Sequence, residues 1–379
     1  MKVIVVGAGP VGLAAALALL RRGVDVLVLE AGESLAAESR ASTLHPPTLE
    51  ILDELGVIED VLRRGLRAPT FAYRDRAEGH VATLDLGLLA GDTRYPFRVQ
   101  LEQSKLTPIL LGAILQAGGD VRFGRPVTAV ETTGTVHTGT GTHHADWVVA
   151  ADGAHSAVRR SLGLPFEGMT YAERFLVAST DEDLTEMLPD LAAVNYVFDP
   201  VDWSVLLRTP DHWRVLLPTP GDTEDDAELS RMDGRLRSIA DPGRPWRIAH
   251  TTIYRVHQRV AADFRAGRVL LAGDAAHVNN PLGGLGMNSG IHDAMAYARA
   301  IADPGACGDD VFAAADRRRK TALDYVQTVS HQNYQRLSAA DPGQRRAYLD
   351  EWRAVAADPV RARASLLRSS MLASMPAAS

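Results

Sequence analysis

The chain has 379 residues, of which 46% are hydrophobic and 23% charged, as in ordinary folded globular proteins. Its net charge of -7 leaves no basic surplus to neutralise phosphates, which argues against a nucleic-acid partner. The single cysteine, Cys307, excludes an intramolecular disulfide and a cysteine-based metal site.

The first segment, MKVIVVGAGPVGLAAALALLRRG, is apolar from Val3 to Leu20. Its length would suit a membrane helix or the core of a secretory signal. However, glycines and a proline interrupt the run, no small-residue cleavage site follows, and a second apolar run, VDVLVLE, ends on Glu30. Apolar strand, glycine turn, helix, apolar strand and acid is the order of a βαβ unit. We therefore interpret this segment as the buried start of a folded domain.

The motif G-A-G-P-V-G in this unit predicts a dinucleotide-binding turn. Gly7 would let the chain turn sharply, Gly9 would let the backbone approach a pyrophosphate, and Gly12 would let the helix pack closely on the sheet. The pyrophosphate would lie at the positive N-terminus of the helix. Glu30 would accept hydrogen bonds from ribose hydroxyls and disfavour a 2'-phosphate, so FAD or NAD is the expected ligand.

The next elements alternate between helices and short strands. A helix is predicted from about Thr48, an amphipathic helix in QSKLTPILLGAILQAG, strands in DVRFG and RPVTAVETT, and a hairpin in TVHTGTGTHHADWVVAADG. From about Arg174 to His257, strand-like runs separated by Pro, Asp and Gly predict an inserted antiparallel sheet. An apolar strand returns near Val269, and the chain is predicted to be helical from Val311 onward.

Two further motifs follow predicted strands. VVAADGAHSAVRRSLG places Asp152 and Gly153 between a buried strand and a helix, and RVLLAGD places Asp274 at the end of another strand. A carboxylate at the carboxyl end of such a strand is expected to face a ligand crevice. The following loop, PLGGLG, has few side chains, so a flat ring could lie against its backbone. The helix from about Met287 would then direct its positive end at the ring and stabilise negative charge on it.

The order and spacing of these three motifs resemble the single-component flavoprotein aromatic hydroxylases, the family of para-hydroxybenzoate hydroxylase. The resemblance implies non-covalently bound FAD, and it completes the set of predicted cofactor-binding residues. These residues are Gly7, Gly9, Pro10, Val11, Gly12, Glu30, Arg40, Gln103, Asp152, Gly153, Asp274, Pro281, Gly284, Gly286, Met287 and Asn288.

The predicted fold is α/β, with a Rossmann-type FAD-binding domain, an inserted antiparallel β-rich substrate domain and C-terminal helices. The FAD-binding domain would comprise residues 1–69, 101–165 and 263–310, and the substrate domain residues 70–100 and 166–262. Residues 311–379 would form the C-terminal helical region. Because the chain has a single dinucleotide fingerprint, we expect NADPH or NADH to bind only transiently as the reductant.

The resemblance also implies a reaction. NAD(P)H would reduce FAD, O2 would add at the flavin C4a position, and the resulting hydroperoxide would hydroxylate an electron-rich phenolic or related enolic ring. Deprotonation of such a substrate needs a base or a proton relay. The base is not identified, and the candidates from the predicted substrate sheet are Tyr196, Asp199, Tyr254 and His257. We place Tyr254, His257 and the loop residue Pro281 at the predicted catalytic centre.

Alternatives remain open at this stage. A structural, hydrogen-bonded role is the alternative for His45, His257 and His277, and no third ligand accompanies His143 and His144, so no metal site is predicted. A flavin-dependent halogenase or reductase, or a non-catalytic flavin-binding protein, could use the same fold. The Trp-x-Trp-x-Ile-Pro signature of tryptophan-type halogenases is absent, since PWRI has one Trp. We expect a cytoplasmic protein without integral membrane contact, and the sequence predicts no oligomeric state.

Overall fold

The computed structural model of the chain describes residues 1–37, 41–303, 305 and 308–375. Its strands are β1 Lys2–Val6, β2 Asp25–Leu29, β3 Thr43–Leu44, β4 Leu66–Ala68, β5 Thr70–Asp75, β6 Gly79–Asp85, β7 Arg98–Gln100, β8 Asp120–Arg122, β9 Val127–Val130, β10 Thr135–Thr138, β11 Gly141–His144, β12 Trp147–Ala150, β13 Phe166–Thr180, β14 Val194–Phe198, β15 Ser204–Arg208, β16 Trp213–Pro220, β17 Ile248–Ala261, β18 Arg265–Ala266, β19 Val269–Leu271 and β20 His277–Val278. Its helices are α1 Pro10–Leu20, α2 Pro46–Glu54, α3 Ile58–Arg64, α4 Gln103–Gln116, α5 Ala157–Ser161, α6 Leu184–Met187, α7 Asp225–Arg237, α8 Gly286–Ala302, α9 Gly308–Thr321, α10 Thr328–Leu337, α11 Pro342–Ala357 and α12 Pro359–Ser369. A π-helical segment, Ala322–Gln327, joins α9 to α10.

A six-stranded sheet forms the first layer, in the order β18-β19-β12-β1-β2-β8. Its pairs are parallel except β18 with β19. β1 and β2 are almost wholly aliphatic, as expected of parallel strands that are covered on both faces. Apolar side chains of α1, α4 and α8 complete the core around this sheet. The predicted Rossmann-type layer is confirmed.

The apolar run from Val3 to Leu20 is divided between β1 and the 11-residue helix α1. Within the described part of the chain, no helix combines the length and apolar character that crossing a bilayer requires. The interpretation of this segment as a buried βαβ unit is therefore confirmed.

An eight-stranded sheet forms the second layer, in the order β20-β17-β13-β16-β15-β14-β5-β6. One of its faces packs on α10, α11 and α12, and the other face packs on α7. The sheet is antiparallel as predicted except for one parallel pair, β14 with β5. β5 comes from an earlier part of the chain and forms a hairpin with β6.

Two small antiparallel sheets, β11-β10-β9 and β3-β7-β4, complete the fold. β7 lies at the end of segment 70–100 and pairs with strands of segment 1–69. β20 lies in segment 263–310 and pairs with β17 of the large sheet. The predicted FAD-binding and substrate segments are thus linked at both places, and their exact limits stay a prediction.

Two local features differ from the sequence prediction. The helix predicted from about Thr48 is two helices, α2 and α3, because Gly56 adopts a φ of 70° that ends the first one. Helix α7 was not predicted, because its sequence DDAELSRMDGRLR is polar and contains Asp and Gly. Acidic residues in its first turn and arginines in its last turn favour the helix dipole.

Candidate active site

The glycines of the fingerprint turn have different surroundings. Gly7 has a φ of 102°, and a Cβ atom there would lie 2.5 Å from the carbonyl oxygen of Ala151. A Cβ atom on Gly12 would lie 2.0 Å from the carbonyl oxygen of Gly7, so α1 is packed directly on the turn. A Cβ atom on Gly9 would have no neighbour within 4 Å. Gly9 therefore leaves open space at the N-terminus of α1, where backbone N–H groups can bind a phosphate.

Glu30 ties the end of β2 to this turn. Its carboxylate oxygens accept hydrogen bonds from the backbone N–H groups of Ala8, at 2.6 Å, and Gly32, at 2.8 Å. The contact with Ala8 was not anticipated from the sequence. A further hydrogen bond from a ribose hydroxyl to Glu30 stays a prediction.

Asp152 lies beside the same turn. Its Oδ2 atom accepts a hydrogen bond from the backbone N–H of Val158 at 3.1 Å, whereas its Oδ1 atom is buried and has no hydrogen-bond partner in the described residues. The Cα atom of Asp152 is 3.2 Å from the point where a Cβ atom of Gly7 would lie. A buried carboxylate oxygen without a partner is rare in folded proteins, so this atom is suited to accept a hydrogen bond from a ligand.

The third motif, around Gly273, packs against Val11 of α1. Gly273 has a φ of 58°, and a Cβ atom there would lie 2.9 Å from a methyl group of Val11. A Cβ atom on Gly290 of α8 would lie 2.5 Å from the same methyl group. Asp274 follows Gly273 in a short 3-10 turn and is exposed. The fold thus brings all three sequence motifs to one edge of the six-stranded sheet.

A buried ionic cluster around Asp293 holds the turn at Gly273 in place. Asp293 accepts hydrogen bonds from His277 Nε2 at 2.8 Å, Arg318 Nε at 2.6 Å and the backbone N–H of Gly273 at 3.1 Å. Burial alone would raise the pKa of Asp293, but Arg318 and His277 hold this pKa below its usual value. His277 thus forms a buried hydrogen bond to Asp293, which fits the structural role given above as the alternative to a catalytic one.

The loop over residues 281–286 is held by the side chains of His45, just before α2, and Asn288 of α8. The Asn288 amide group donates to the carbonyl oxygens of Thr43, at 2.8 Å, and Gly284, at 2.7 Å, and accepts from the backbone N–H of His45 at 2.9 Å. His45 Nε2 donates to the carbonyl oxygen of Gly283 at 2.8 Å. Burial and the nearby Arg98 hold the pKa of His45 well below its usual value, so this ring stays neutral.

A cavity of about 300 Å³ lies between the large sheet, this loop and helices α10 to α12. Aromatic side chains line one part of it, where the Tyr73 ring stacks on Trp352 at 3.9 Å and on Tyr196 at 5.5 Å between centroids. Gly283 belongs both to the cavity wall and to the loop. The volume is at the lower end of the range for small-molecule pockets, about 300 to 1,000 Å³.

The structure separates the candidates for the base. Tyr196 lines the cavity, whereas Asp199 accepts hydrogen bonds from two backbone N–H groups of the turn that follows it. His257 Nδ1 lies 2.9 Å from the Thr170 hydroxyl oxygen, and Tyr254 is opposite Phe175 in the sheet. Neither His257 nor Tyr254 lines the cavity. Catalytic roles for Tyr254, His257 and Pro281 stay predictions.

Comparisons with known proteins identify the family. Para-nitrophenol 4-monooxygenase of Pseudomonas sp. (strain WBC-3) is 36% identical over 360 residues, which cover 90% of this chain and 89% of that protein. The 6-hydroxy-3-succinoylpyridine 3-monooxygenase of Pseudomonas putida (strain DSM 28022 / S16) is 33% identical over 96% of both chains. A crystal structure of p-nitrophenol 4-monooxygenase from Pseudomonas putida DLL-E4 superposes with a TM-score of 0.91, at 33% identity and 96% coverage of both chains. The family model described as "FAD binding domain" matches residues 1–327. The chain belongs to the FAD-dependent aromatic monooxygenases.

The monooxygenase uses FAD, NAD(P)H and O2 to hydroxylate an aromatic small molecule, and this assignment is favoured over a halogenase, a reductase or a non-catalytic flavin-binding protein. The open space at Gly9 and the unpaired Oδ1 atom of Asp152 fit a dinucleotide. Bound FAD would supply the electron transfer and the O2 activation. The chain's own residues would hold its phosphates at α1, place its ring beside the loop over 281–286, and keep water from the cavity.

The other predicted cofactor residues lie around this edge of the monooxygenase. Pro10 and Val11 begin α1, and Gly286, Met287 and Asn288 form the first turn of α8. Gln103 begins α4, and its backbone N–H donates to the carbonyl oxygen of Ala41 at 3.0 Å. Arg40 lies outside the described residues. Side-chain contacts from these residues to FAD stay predictions.

The sequence analysis missed two arginines of the monooxygenase, the buried Arg98 and the half-buried Arg214. Arg98 of β7 is 2% exposed and lies over the ring of Phe71, 4.3 Å from its centroid. Desolvation lowers the pKa of Arg214, and the nearby Tyr254 and Glu102 act against that effect. A single arginine in a strand is ordinarily taken to be exposed. For Arg214, strand alternation offered a signal, because it places Arg214 on the same face of β16 as Leu216.

Proposed function

We propose that the aromatic cavity is the substrate site and that the monooxygenase acts on small, single-ring aromatics. The observation that carries this proposal is that Gly283 belongs both to the cavity wall and to the loop expected to hold the flavin ring. A substrate lying against the aromatic side chains would be held against that loop. A position that excludes water at the reacting ring favours oxygen transfer over loss of the activated oxygen.

We further propose where the oxygen goes. The names of the two relatives give position 4 of para-nitrophenol and position 3 of 6-hydroxy-3-succinoylpyridine. In each compound that ring carbon carries the nitro or succinoyl substituent and lies para to the hydroxyl group. For this chain we therefore propose hydroxylation at a substituted carbon para to a ring hydroxyl, with loss of the substituent.

The atoms balance for 4-nitrophenol as a probe. One oxygen atom of O2 bonds to C4, the C–N bond breaks, and nitrite leaves with the bonding electron pair. The ring becomes 1,4-benzoquinone, the second oxygen atom becomes water, and NAD(P)H supplies two electrons. The sum is 4-nitrophenol, O2, NADPH and H⁺ giving benzoquinone, nitrous acid, water and NADP⁺.

In this proposal the chain's residues bind and orient the ring. Burial and the neighbouring Tyr196 raise the pKa of Tyr73, so its hydroxyl stays protonated and can donate a hydrogen bond to the substrate. Trp352 stacks on Tyr73, so the two rings form one continuous aromatic side of the site. NADPH or NADH would serve as the transient reductant, and because both are cytoplasmic metabolites we propose that the enzyme is cytoplasmic.

The test is product analysis with the FAD-loaded enzyme. We expect 4-nitrophenol to cause matched consumption of O2 and reductant, with release of nitrite and of a quinone or its reduced form, in parallel assays with NADPH and NADH. A hydroxylated product that retains the nitro group would reject the proposed position. Reductant oxidation that yields only hydrogen peroxide across a panel of para-substituted phenols would reject the proposed substrate class.

A matched pair of variants tests the cavity. Trp352 and Trp246 are both 6% exposed, but Trp246 packs on the opposite face of the large sheet. We expect Trp352→Leu to raise KM and to divert reductant oxidation to peroxide. Trp246→Leu should lower the stability of the protein as much as Trp352→Leu does, but it should not change the fraction of reductant oxidation that yields peroxide. If both variants changed the fraction of peroxide equally, the substrate would not lie in this cavity.

A further inference from the structure

The charged side chains of the cavity differ in how they are neutralised. Arg336 of α10 forms an ion pair with Glu351 of α11 at 3.2 Å. Arg368 of α12 is exposed to solvent and donates a hydrogen bond to the side-chain oxygen of Gln332 at 2.7 Å. Both guanidinium groups are therefore compensated, one by a carboxylate and the other by water.

Within the described part of the chain, Arg98 has neither a carboxylate nor solvent beside it, and its guanidinium lies over the Phe71 ring, 4.3 Å from the centroid. It is 2% exposed, and its Nη2 atom makes a long hydrogen bond of 3.4 Å to the carbonyl oxygen of Ser369. Its Nε atom is buried without a hydrogen-bond partner, and among the described residues no carboxylate oxygen lies within 4.0 Å of the guanidinium. A buried charge is costly unless it is paired and hydrogen-bonded, so a cation in this state is suited to an anionic ligand.

We propose that Arg98 is the specificity-determining residue of the cavity and that it binds the substrate through an ionised ring hydroxyl. The inference rests on the proposed function, because it takes the cavity to be the substrate site. The planar guanidinium can direct N–H groups at an oxyanion, and such charge-assisted hydrogen bonds are stronger than neutral ones. An ionised hydroxyl also enriches the para carbon in electrons, which favours attack on it by an electrophilic oxygen.

The other titratable groups around the cavity are consistent with an anionic ligand. Arg98 of β7, Arg336 of α10 and Arg368 of α12 are cations, and Glu351 of α11 is the carboxylate among the lining residues. Tyr73 of β5 and Tyr196 of β14 contribute neutral phenols. His45, behind the loop, stays neutral because burial and Arg98 lower its pKa. The sum of these charges is positive.

The experiment measures the ionisation of bound 4-nitrophenol, whose phenolate absorbs visible light that the phenol does not. The FAD-loaded enzyme is titrated with pH under anaerobic conditions and without reductant, using difference spectra against ligand-free holoenzyme. We expect bound 4-nitrophenol to ionise about one to three pH units below the free compound, as for an acid beside a buried cation. The neutral methyl ether, 4-nitroanisole, should bind at least about tenfold more weakly.

Variants assign the effect to Arg98. Arg98→Met should abolish the lowered ionisation and weaken phenolate binding by roughly tenfold to a hundredfold, the loss of one hydrogen bond to a charged group. Arg98→Lys should retain part of both effects. Arg368→Met is the matched control at the same cavity, and it should change the ionisation much less because its charge is screened by water.

Several results would overturn the proposal. These are an unshifted ionisation in the wild-type holoenzyme, a shift that survives in Arg98→Met, equal binding of 4-nitroanisole, or no binding of 4-nitrophenolate. The ether comparison uses only wild-type protein, so it tests ionised binding even if Arg98→Met does not fold, and Arg98→Lys against Arg368→Met then tests the assignment to Arg98. Ionised binding without nitrite release in the aerobic assay would reject the proposed reaction alone. Nitrite release with neutral binding would reject the role of Arg98 alone.

Discussion

Gly9 and Gly12 occupy one turn but are expected to respond differently to the same substitution. In Gly12→Ala the new Cβ atom would meet a backbone carbonyl at 2.0 Å, whereas in Gly9→Ala it would enter open space. We expect Gly12→Ala to lower the stability of the FAD-free protein by about 1 to 3 kcal/mol, as overpacking does. Gly9→Ala should leave that stability nearly unchanged and instead weaken FAD binding, because the methyl group would occupy the space for the pyrophosphate.

Thermal unfolding of the FAD-free proteins and fluorescence titration with FAD distinguish the two effects. Each variant serves as the control for the other, since both add one methyl group within the same motif. Equal loss of stability in both, or unchanged FAD affinity in Gly9→Ala, would contradict the assignment of the open space to the cofactor.

Asp274 is the second residue for which a single change tests the cofactor site. Its position after β19, beside the contact of Val11 with Gly273, predicts a hydrogen bond to the ribityl or pyrophosphate region of FAD. We expect Asp274→Ala to weaken FAD binding roughly tenfold or more, the loss of a charge-assisted hydrogen bond of about 1.5 to 3 kcal/mol. The exposed Asp226 of α7 provides the control, Asp226→Ala. Wild-type FAD affinity in Asp274→Ala would disprove the predicted contact.

At the scale of elements, α2 and α8 meet through a buried histidine. His292 Nε2 lies 3.0 Å from the Thr48 hydroxyl oxygen, and burial together with Arg318 lowers the pKa of His292 to about 3. In the unfolded chain a histidine has a pKa near 6.5, so unfolding takes up a proton below that pH. Stability therefore falls as the pH decreases from about 6.5 toward 3, with a limiting slope of about 1.4 kcal/mol per pH unit from this group.

We expect His292→Gln to be less stable at neutral pH but to lose stability less steeply between about pH 6.5 and 5. Urea unfolding at several pH values measures both quantities. Thr48→Val is the control, because it removes the hydrogen bond and keeps the imidazole. It should lower stability without flattening the pH dependence. A variant lacking His292 that retains the wild-type slope would show that other groups cause the acid sensitivity.

At the scale of the whole molecule, the loop over 281–286 contacts both layers of the fold. Leu282 packs in the core beneath the large sheet, whereas Gly284 is held by Asn288 of α8 on the side of the six-stranded sheet. A substrate in the cavity would touch the same loop through Gly283. We therefore expect substrate binding to accelerate reduction of FAD by NAD(P)H, because the loop can couple the two sites.

Substrate binding can accelerate FAD reduction only as far as the substrate binds more tightly to the arrangement of the site in which FAD is reduced rapidly than to the arrangement in which it is reduced slowly. A hundredfold acceleration requires about 2.7 kcal/mol. Anaerobic stopped-flow reduction, with and without a substrate that product analysis has established, measures the acceleration. Asp226→Ala again serves as the control and should keep the wild-type ratio. Equal reduction rates with and without substrate would exclude this coupling and leave the assignment as a monooxygenase intact.

Much of the fold and the cofactor edge could be predicted from sequence because these features depend on local patterns. The aliphatic strand before Gly7, the glycine spacing after it and the acid at Glu30 occur within one short stretch of chain. Their backbone conformations follow from steric limits that hold in any protein. The boundary between α2 and α3 was missed because Gly56 was not recognised as a left-handed helix end.

The sequence by itself determined the βαβ start, the motifs for FAD and the alternation of helices with strands, since each is specified by neighbours a few residues apart. Only the tertiary structure decided the cavity that we propose as the substrate site. It required the parallel pairing that places Tyr73 beside Tyr196, and the docking of α11 that brings Trp352 onto Tyr73. It also decided that Arg98 is buried without a counter-ion, whereas Arg336 is paired with Glu351. No local pattern carries this information, because the burial of a charge depends on which distant segments pack around it, and that is set by the global free energy of folding.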